Sequence, residues 1–410
     1  MKGLAESPGA ITINCEASFN PSGPDSSQWV TGRLSDVAQV ERIGVDPAIL
    51  SDERYVGLEH ISGDSGDLRW QYSREAELRS TKFRFSSRHL LYGKLRPNLK
   101  KIARPGFEGV CSTDILPIRP RDGVMDRDYL FHFLRQPQMI ELAVSQTSGV
   151  NLPRLSPSLL SDFPISYPRD IAEQKRIAVI LDKADAIRRK RQQAIQLADE
   201  FLRSVFLDMF GDPATNPKAW RRVIISEIGK VITGNTPPRE QKRYYGNHIE
   251  WIKTDNISAA KYFLTKATEG LSESGLGVGR SVPAGSTLIT CIAGSPSSIG
   301  NSAYADRSVA FNQQINAIMP YQEFPSLFVF GLVRASKRLI QERSTAAMKG
   351  MVSKSSLESV EVYDPPESLK ARYASIFTKA LADIDRQITA ETQADILFKA
   401  VSQRAFAGML

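Results

Sequence analysis

The chain is one unit written twice, which restricts it to folds that half of its length can encode. Trp29 opens WVTGRLSDVAQV and Trp220 opens WRRVIISEIGKV, so that Leu34 pairs with Ile225, Ser35 with Ser226, Asp36 with Glu227, Val37 with Ile228 and Val40 with Val231 at a spacing of 191. A second match joins LSPSLLSDFPISYP from Leu155 to VSKSSLESVEVYDP from Val352 at a spacing of 197, sharing Ser156/Ser353, Ser158/Ser355, Leu160/Leu357, Ile165/Val362 and Pro168/Pro365. The difference in spacing falls inside the units, as expected when a variable domain is framed by two preserved edges.

Each Ser/Leu-rich edge is followed by a long helical segment. The first comes after Pro168, has Asp170 as its cap with Glu173 three residues on, and runs to Gly211 and Pro213. The second comes after Asp364, Pro365 and Pro366 and runs to Gly408, the equivalent of Gly211. At 1.5 Å per residue each would extend roughly 60 Å, well beyond an ordinary globular helix. Ile177, Ile180, Ala184, Ile187, Arg191, Ala194, Ala198, Phe201 and Val205 recur at steps of three and four in the first helix. Ala374, Phe377, Leu381, Ile384, Ile388, Glu391, Asp395, Phe398 and Ser402 do so in the second. Such a seam implies a coiled-coil partner, interrupted at Arg191, Glu391, Asp395 and Ser402. Burial of each helix against its own domain is the alternative. Two similar long helices in one chain are each other's natural partner, and antiparallel packing would set one globular unit at each end about an approximate two-fold axis. The expected architecture is therefore α+β: an arm over 1–28, globular domains over 29–168 and 213–366, and long helices over 169–212 and 367–410.

With 410 residues, 41% apolar and 24% charged, the chain has the composition of a globular protein of two or more domains. It has no apolar run long enough to span a bilayer, and its first residues, with Glu6, Pro8, Pro21, Pro24 and Asp25, lack the order of a signal peptide. Cys15, Cys111 and Cys291 are odd in number, far apart and without nearby histidines, so neither a disulfide framework nor a metal site is expected and a reducing cytoplasm fits. The net charge is +8, and between Arg69 and Arg104 eleven basic residues face only Glu75 and Glu77. A polyanionic partner and a solvated surface both account for that concentration.

The two-copy plan resembles the specificity subunits of Type I restriction-modification systems, which alternate two target-recognition domains with two helical regions. In the first domain the resemblance is carried by YVGLEHIS (55–62), LLYGKLRPNLKK (90–101), GVCSTDILPIRP (109–120) and SGVNLPRLS (148–156). In the second it is carried by IEWIKTDNIS (249–258), PAGSTLITCIAGSPSSIGNSA (283–303) and FNQQINAIMP (311–320), with AEQKRIAVIL opening the first long helix. The resemblance implies that the chain reads a split target in double-stranded DNA, one half per domain, and makes no covalent change itself. It further implies two methyltransferase subunits as partners, which would carry the S-adenosylmethionine, and admits a restriction motor subunit joining them.

DNA binding needs cations for phosphates and polar side chains for base edges. In the first domain Arg84, Arg88, Lys94, Arg96, Lys100 and Lys101 are the candidates, the last four beside the turn-formers Gly93, Pro97, Asn98 and Pro105. In the second they are Lys253, Arg280, Ser297, Ser298, Asn301 and Gln313. The Gly/Ser loop around Ser297 could hold a phosphate but is not a nucleotide-binding P-loop, because no lysine follows Gly300. Asn312, Gln313, Gln314 and Asn316 are the residue types that pair with adenine, or amides that hold a turn. Ile177, Ile180, Ala184, Ile187 and Phe201, with Phe377, Leu381, Ile384, Ile388 and Phe398, are the candidate seam residues.

Two enzyme-like motifs fail on chemistry. Asp364-Pro365-Pro366-Glu367 resembles the start of an amino-methyltransferase motif, but Glu367 cannot stack on a flipped base. Glu240-Gln241-Lys242 is half of a metal nuclease signature with no Pro-Asp pair upstream. The competing readings are a coiled-coil adaptor that binds no DNA, and a specificity subunit serving only a methyltransferase or another defence system.

Overall fold

The computed structural model describes residues 28–50, 52–149, 151–258, 261–344 and 350–410, so the arm lies outside the described residues apart from Gln28. The chain forms two compact units, one ending at Gln192 and taking in Ala390–Leu410, the other Gln193–Thr389. Both division points fall inside the long helices, Ile171–Phe210 and Glu367–Phe406, so each unit owns part of each helix.

The preserved edges of the repeat are strands paired to each other. Trp29–Arg33 runs antiparallel to Pro164–Pro168 in the first unit, and Arg221–Ile224 to Glu361–Asp364 in the second. The repeated acid accepts the backbone N–H that ends the first strand, Asp36 from Arg33 at 2.7 Å and Glu227 from Ile224 at 2.9 Å. The repeated serine caps the short helix before the second strand, Ser156 accepting from Leu159 N–H at 3.2 Å and Ser353 from Ser356 N–H at 3.0 Å. Capping satisfies amides that a helix leaves unpaired, which is why these polar positions recur with the strands.

Inside each frame, among the described residues, lie two matching sheets, and the second frame adds a short pair, Ile292–Ala293 with Gly350–Met351. An antiparallel sheet of order Ala38–Val40, Ile115–Pro120, Leu90–Gly93, Ile102–Ala103 has its counterpart in Gly229–Thr233, Ile315–Pro320, Thr287–Thr290, Ser302–Tyr304. The other sheet is five-stranded in the first unit and four-stranded in the second, and each contains one parallel pair, Tyr55 beside Val110 and Trp251 beside Ala310. Helices Arg127–Leu134 and Pro137–Ser145, matched by Ser326–Ala335 and Lys337–Glu342, share one core with the antiparallel sheet and the long helices of their unit.

The long helices anchor in the cores. Ile177, Ala178, Leu181 and Ala405 are buried with Tyr129 and Phe133 in the first unit, and Leu202, Phe206 and Phe210 with Tyr373, Phe377, Leu381 and Ile384 in the second. Each buried phenylalanine contributes about 1.5–3 kcal/mol by leaving water. Within the first unit the segments run antiparallel: Arg176 reaches the Leu410 carbonyl at 3.1 Å, while Gln192, further along, meets Glu391, further back, at 3.3 Å.

The seam read from the sequence needs one correction. Phe377, Leu381 and Ile384 are buried and Ile388 and Phe398 pack partly, but Ile187 and Phe201 are 49% and 55% exposed. Ile180 and Ala184 are half-buried. A heptad stripe drifts about 20° per repeat around a helix of 3.6 residues per turn. The face that starts at Ile177 therefore returns at Leu202 and Phe206, one position past Phe201. Among the described residues, no helix is long and apolar enough to cross a membrane.

Candidate nucleic-acid interface

The basic stretch of the first unit does not fold into one patch. Lys82 is buried and bonded to Ser80, Arg104 pairs with Asp182 at 2.8 Å over the Phe131 ring, and Arg74 pairs with Asp52 at 2.6 Å. These cations belong to the fold. Arg88 pairs with Asp122 at 3.4 Å at the opposite end of strand Leu90–Gly93 from Lys94, and Arg84 is exposed on strand Lys82–Phe85 of the other sheet. Sequence proximity misled here because alternating strands carry neighbouring residues to opposite faces and ends.

What does come together is a corner of three segments. The loop after strand Leu90–Gly93, the turn Ser112–Asp114 and the segment before Leu155 are tied by Lys94 N–H to Asp114 C=O at 2.9 Å, Arg96 N–H to Pro153 C=O at 2.9 Å and Leu155 N–H to Lys94 C=O at 3.0 Å. Lys94 and Arg154 flank the Asp114 carboxylate at 3.9 and 3.3 Å. Arg96 and Lys100, both exposed, bracket the turn Pro97–Leu99 and both take left-handed backbone conformations, φ 50° and 53°. Lys101 is drawn inward, donating to the Leu58 carbonyl at 2.5 Å.

The second unit builds the same corner with other side chains. Turn Asn312–Gln314 is self-braced, Asn312 Nδ2 donating to Gln314 Oε1 at 3.0 Å and Gln314 N–H to Asn312 Oδ1 at 3.1 Å, and Asn316 accepts from Thr233 at 2.7 Å. Three of the four amides thus hold structure, and Gln313 alone is exposed, touched by Thr236. Arg280 lies on the same side, donating to the Thr233 carbonyl at 2.8 Å and, through its N–H, to Asn235 at 2.8 Å. The Gln314 carbonyl receives Cys291 N–H at 2.9 Å, which ties in the loop bearing Ser297, Ser298 and Asn301. Asn301 accepts from Lys337 at 2.7 Å, and Ser297 bonds Ser295 at 2.7 Å. Lys253 is instead occupied by Glu269 and by the Trp251 ring at 5.3 Å, in a cluster where Arg239 sits over Tyr245 and Trp251 at 4.8 and 4.7 Å.

Thr113, Arg154, Asn235, Thr236 and Lys337 are the corner residues that the sequence reading passed over. Thr113 was within reach, because aligning GVCSTDIL on VAFNQQIN sets it opposite Gln313. Asp364, from the methyltransferase-like motif, is held by Arg221 and Lys370 at 2.8 Å each and pins the start of the second helix. Among the described residues no cluster of three His, Cys, Asp or Glu side chains could hold a metal, and Cys111 and Cys291 are buried free thiols, burial pushing Cys291 up to about 12.

A chain built of two copies of one α+β unit, each with a polar turn braced by its own backbone and each taking in part of two long helices, carries two like sites on one scaffold. It belongs to the family of the Type I restriction modification DNA specificity domain, whose pattern it matches twice, over 26–197 and 217–394. It is 26% identical over 176 residues to the HindI Type I restriction enzyme specificity subunit of Haemophilus influenzae, covering 41% of this chain and 37% of that one. It is 25% identical over 206 residues to the EcoDI specificity subunit of Escherichia coli, covering 49% and 45%. The chain thus spans less than half the length of these relatives. The fold is similar to that of a Type I restriction-modification S subunit from M. genitalium, with a TM-score of 0.59 at 12% identity over 96% of this chain and 98% of that one. It is also similar to a chain from a study of complex assembly in the type I R-M system, with a TM-score of 0.51 at 19% identity over 93% and 98%.

Proposed function

We propose that this chain is the DNA-reading subunit of a Type I restriction-modification complex: each unit reads one half of a two-part target, and partner subunits do the chemistry. The observation that carries this reading is the turn at Ser112–Asp114 and Asn312–Gln314. Its backbone setting is the same in both units, while its middle side chain differs, Thr113 in one and Gln313 in the other, so one frame can offer different donors and acceptors to base edges. The relatives are named as specificity subunits of restriction enzymes, which supports assigning methyl transfer and S-adenosylmethionine to methyltransferase partners, with a restriction subunit as a further one. Two equivalent units favour two methyltransferase subunits per chain.

Sequencing the methylated bases of the host genome with and without this gene tests the proposal. One two-part motif, with an unread gap between its halves, should lose its methylation when the gene is removed. Persistence of every methylated motif would refute it. A purified complex that assembles but shifts no DNA would favour a protein adaptor instead.

A further inference from the structure

The first unit's corner loop ends on Lys100 and the second unit's on Gly300, and the strand registers make these one position. Ala103 pairs with Leu91 and Ala303 with Leu288, and Lys100 and Gly300 each stand three residues earlier. Both are left-handed, at φ 53° and 78°. Glycine takes that conformation freely, whereas a lysine kept there does so against a steric cost, which points to a use for its side chain.

The helix beside the loop makes the reverse exchange. Phe131 and Arg135 correspond to Phe330 and Arg334, for in each unit the guanidinium lies over the ring, at 5.0 and 5.7 Å, and binds a backbone carbonyl, of Gly63 at 3.1 Å or of Lys261 at 3.3 Å. The next helix begins on Pro137 in the first unit and on Lys337 in the second, after the caps Gln136 and Ser336, so the second unit has a lysine where the first has proline. A Cβ at Gly300 would come within 3.0 Å of Lys337 Cγ, so the glycine leaves room for the lysine's stem. The ammonium then reaches Asn301, the counterpart of Lys101, at 2.7 Å and keeps two of its three donors for another acceptor. Lys100 and Lys337 each open onto a cavity of their own unit. A charge that is kept while its carrier moves from loop to helix marks a place that needs a cation, not one that needs a particular shape.

We propose that Lys337 is a contact of the second unit to the DNA sugar-phosphate backbone, the counterpart of Lys100 in the first. This rests on the DNA-reading function proposed above. Phosphate is favoured over a partner's carboxylate because Lys100 has a second exposed cation, Arg96, across the turn Pro97–Leu99. The residue after Lys337 adds a second cation, Arg338, whose side chain is 67% exposed and lies 3.9 Å from the exposed Glu342.

The test uses the assembled complex with its methyltransferase partners, with affinity for its own motif measured across a salt series and hydroxyl-radical footprints of both half-sites. Lys337→Gln should lower the slope of log affinity against log salt by about 0.9, expose the backbone of one half-site only, and leave the motif unchanged. Lys337→Ala should do the same, and adding Gly300→Lys to that variant, where no Cγ remains to meet the new Cβ, moves the cation to the loop as in the first unit and should recover both slope and protection. A lower melting temperature with an unchanged slope would overturn the proposal and leave Lys337 as a brace for Asn301. Loss of partner assembly with an unchanged slope would move it to a protein interface. If the unmodified complex protects no specific sequence, the DNA-reading function itself fails, and this proposal with it.

Discussion

Where the first unit meets its long helices, the neutral ring of His132 donates to Asp182 at 2.9 Å, and Arg104 closes on the same carboxylate at 2.8 Å. In the second unit Gly331 stands at the position of His132, and a Cβ there would meet the Tyr373 hydroxyl at 2.6 Å, so the contact is aromatic, with Phe206 and Phe377 at 5.3 and 5.6 Å from the Tyr373 ring. The corner loops differ in the same spirit, cations in one and glycine and serine in the other. The repeat therefore preserves where backbone segments meet and leaves open whether charge or packing joins them. This division suits a scaffold whose frame must be constant while its reading surface varies.

The largest effect that can break this comparison is on specificity. Exchanging residues 30–168 for the matching domain of a relative should replace one half of the methylated motif and leave the other half intact, as read by methylation sequencing. Simultaneous change of both halves would show that the units do not read independently. Next in size is the aromatic core of the second unit. Phe210 is fully buried against Phe206, Phe328 and Tyr373, and Phe210→Ala should cost about 3–5 kcal/mol. Trp220 and Trp251 report on that unit and Trp29 and Trp70 on the other, so single-tryptophan variants in a denaturant titration should localise the loss to the second.

These contacts separate what the sequence discloses from what it withholds. The frame was legible: the Trp29/Trp220 and Ser156/Ser353 matches are strand edges and caps, whose roles depend on local hydrogen bonds and so leave a local signature. The long helices were legible because length and flanking prolines are local too. The seam was legible only in part, since Phe201 and Leu202 are both apolar neighbours and only the accumulated twist decides which faces inward. The corner was the least legible. Lys101 and Lys253 look like free cations in sequence, yet each is held by an acceptor distant along the chain, Leu58 and Glu269. Conversely, Lys337 gave no sign of its place beside Gly300, because a swap between loop and helix shows only once both are folded.

A smaller effect should appear with acid. Although burial raises it, hydrogen bonds from His132 and Arg104 hold the Asp182 carboxyl well below the usual carboxylate range. Burial also keeps His132 below its ordinary value, outweighing Asp182. Both groups bind protons more readily unfolded than folded, so their contribution is complete above about pH 6.5, the unfolded histidine value, and declines as the pH falls, further so below about 3.9. The first unit should thus begin to lose stability near pH 6.5, whereas in the second, Asp364, which burial raises but Lys370 and Arg221 hold below its ordinary value, gives way only in the carboxylate range. Asp182→Asn should cost about 1–2 kcal/mol at neutral pH, discounted because the carboxylate is 38% exposed; it should flatten the limb below about pH 3.9 and steepen it just below about 6.5, because His132 loses the carboxylate that raised it. If both units begin to weaken at the same pH, the His132–Asp182 contact does not set the first unit apart.

The smallest effect is the sharpest test of what the left-handed lysine is for. Lys100 sits at φ 53° where the second unit has Gly300 at φ 78°. Lys100→Gly removes the clash between Cβ and backbone that a left-handed residue carries, offset in part by the greater freedom of glycine in the unfolded chain. It should therefore stabilise the first unit by up to about 1 kcal/mol, while lowering the salt slope of DNA binding by about 0.9 for the lost phosphate contact. Lys100→Ala should lower the slope equally without stabilising, because alanine keeps the Cβ. The pair separates two explanations that either variant alone would confuse. If Lys100→Gly stabilises and the salt slope does not move, the lysine is tolerated strain on a solvated face; if the slope falls in both and stability rises in one, the first unit gives up stability to hold a cation against the DNA backbone.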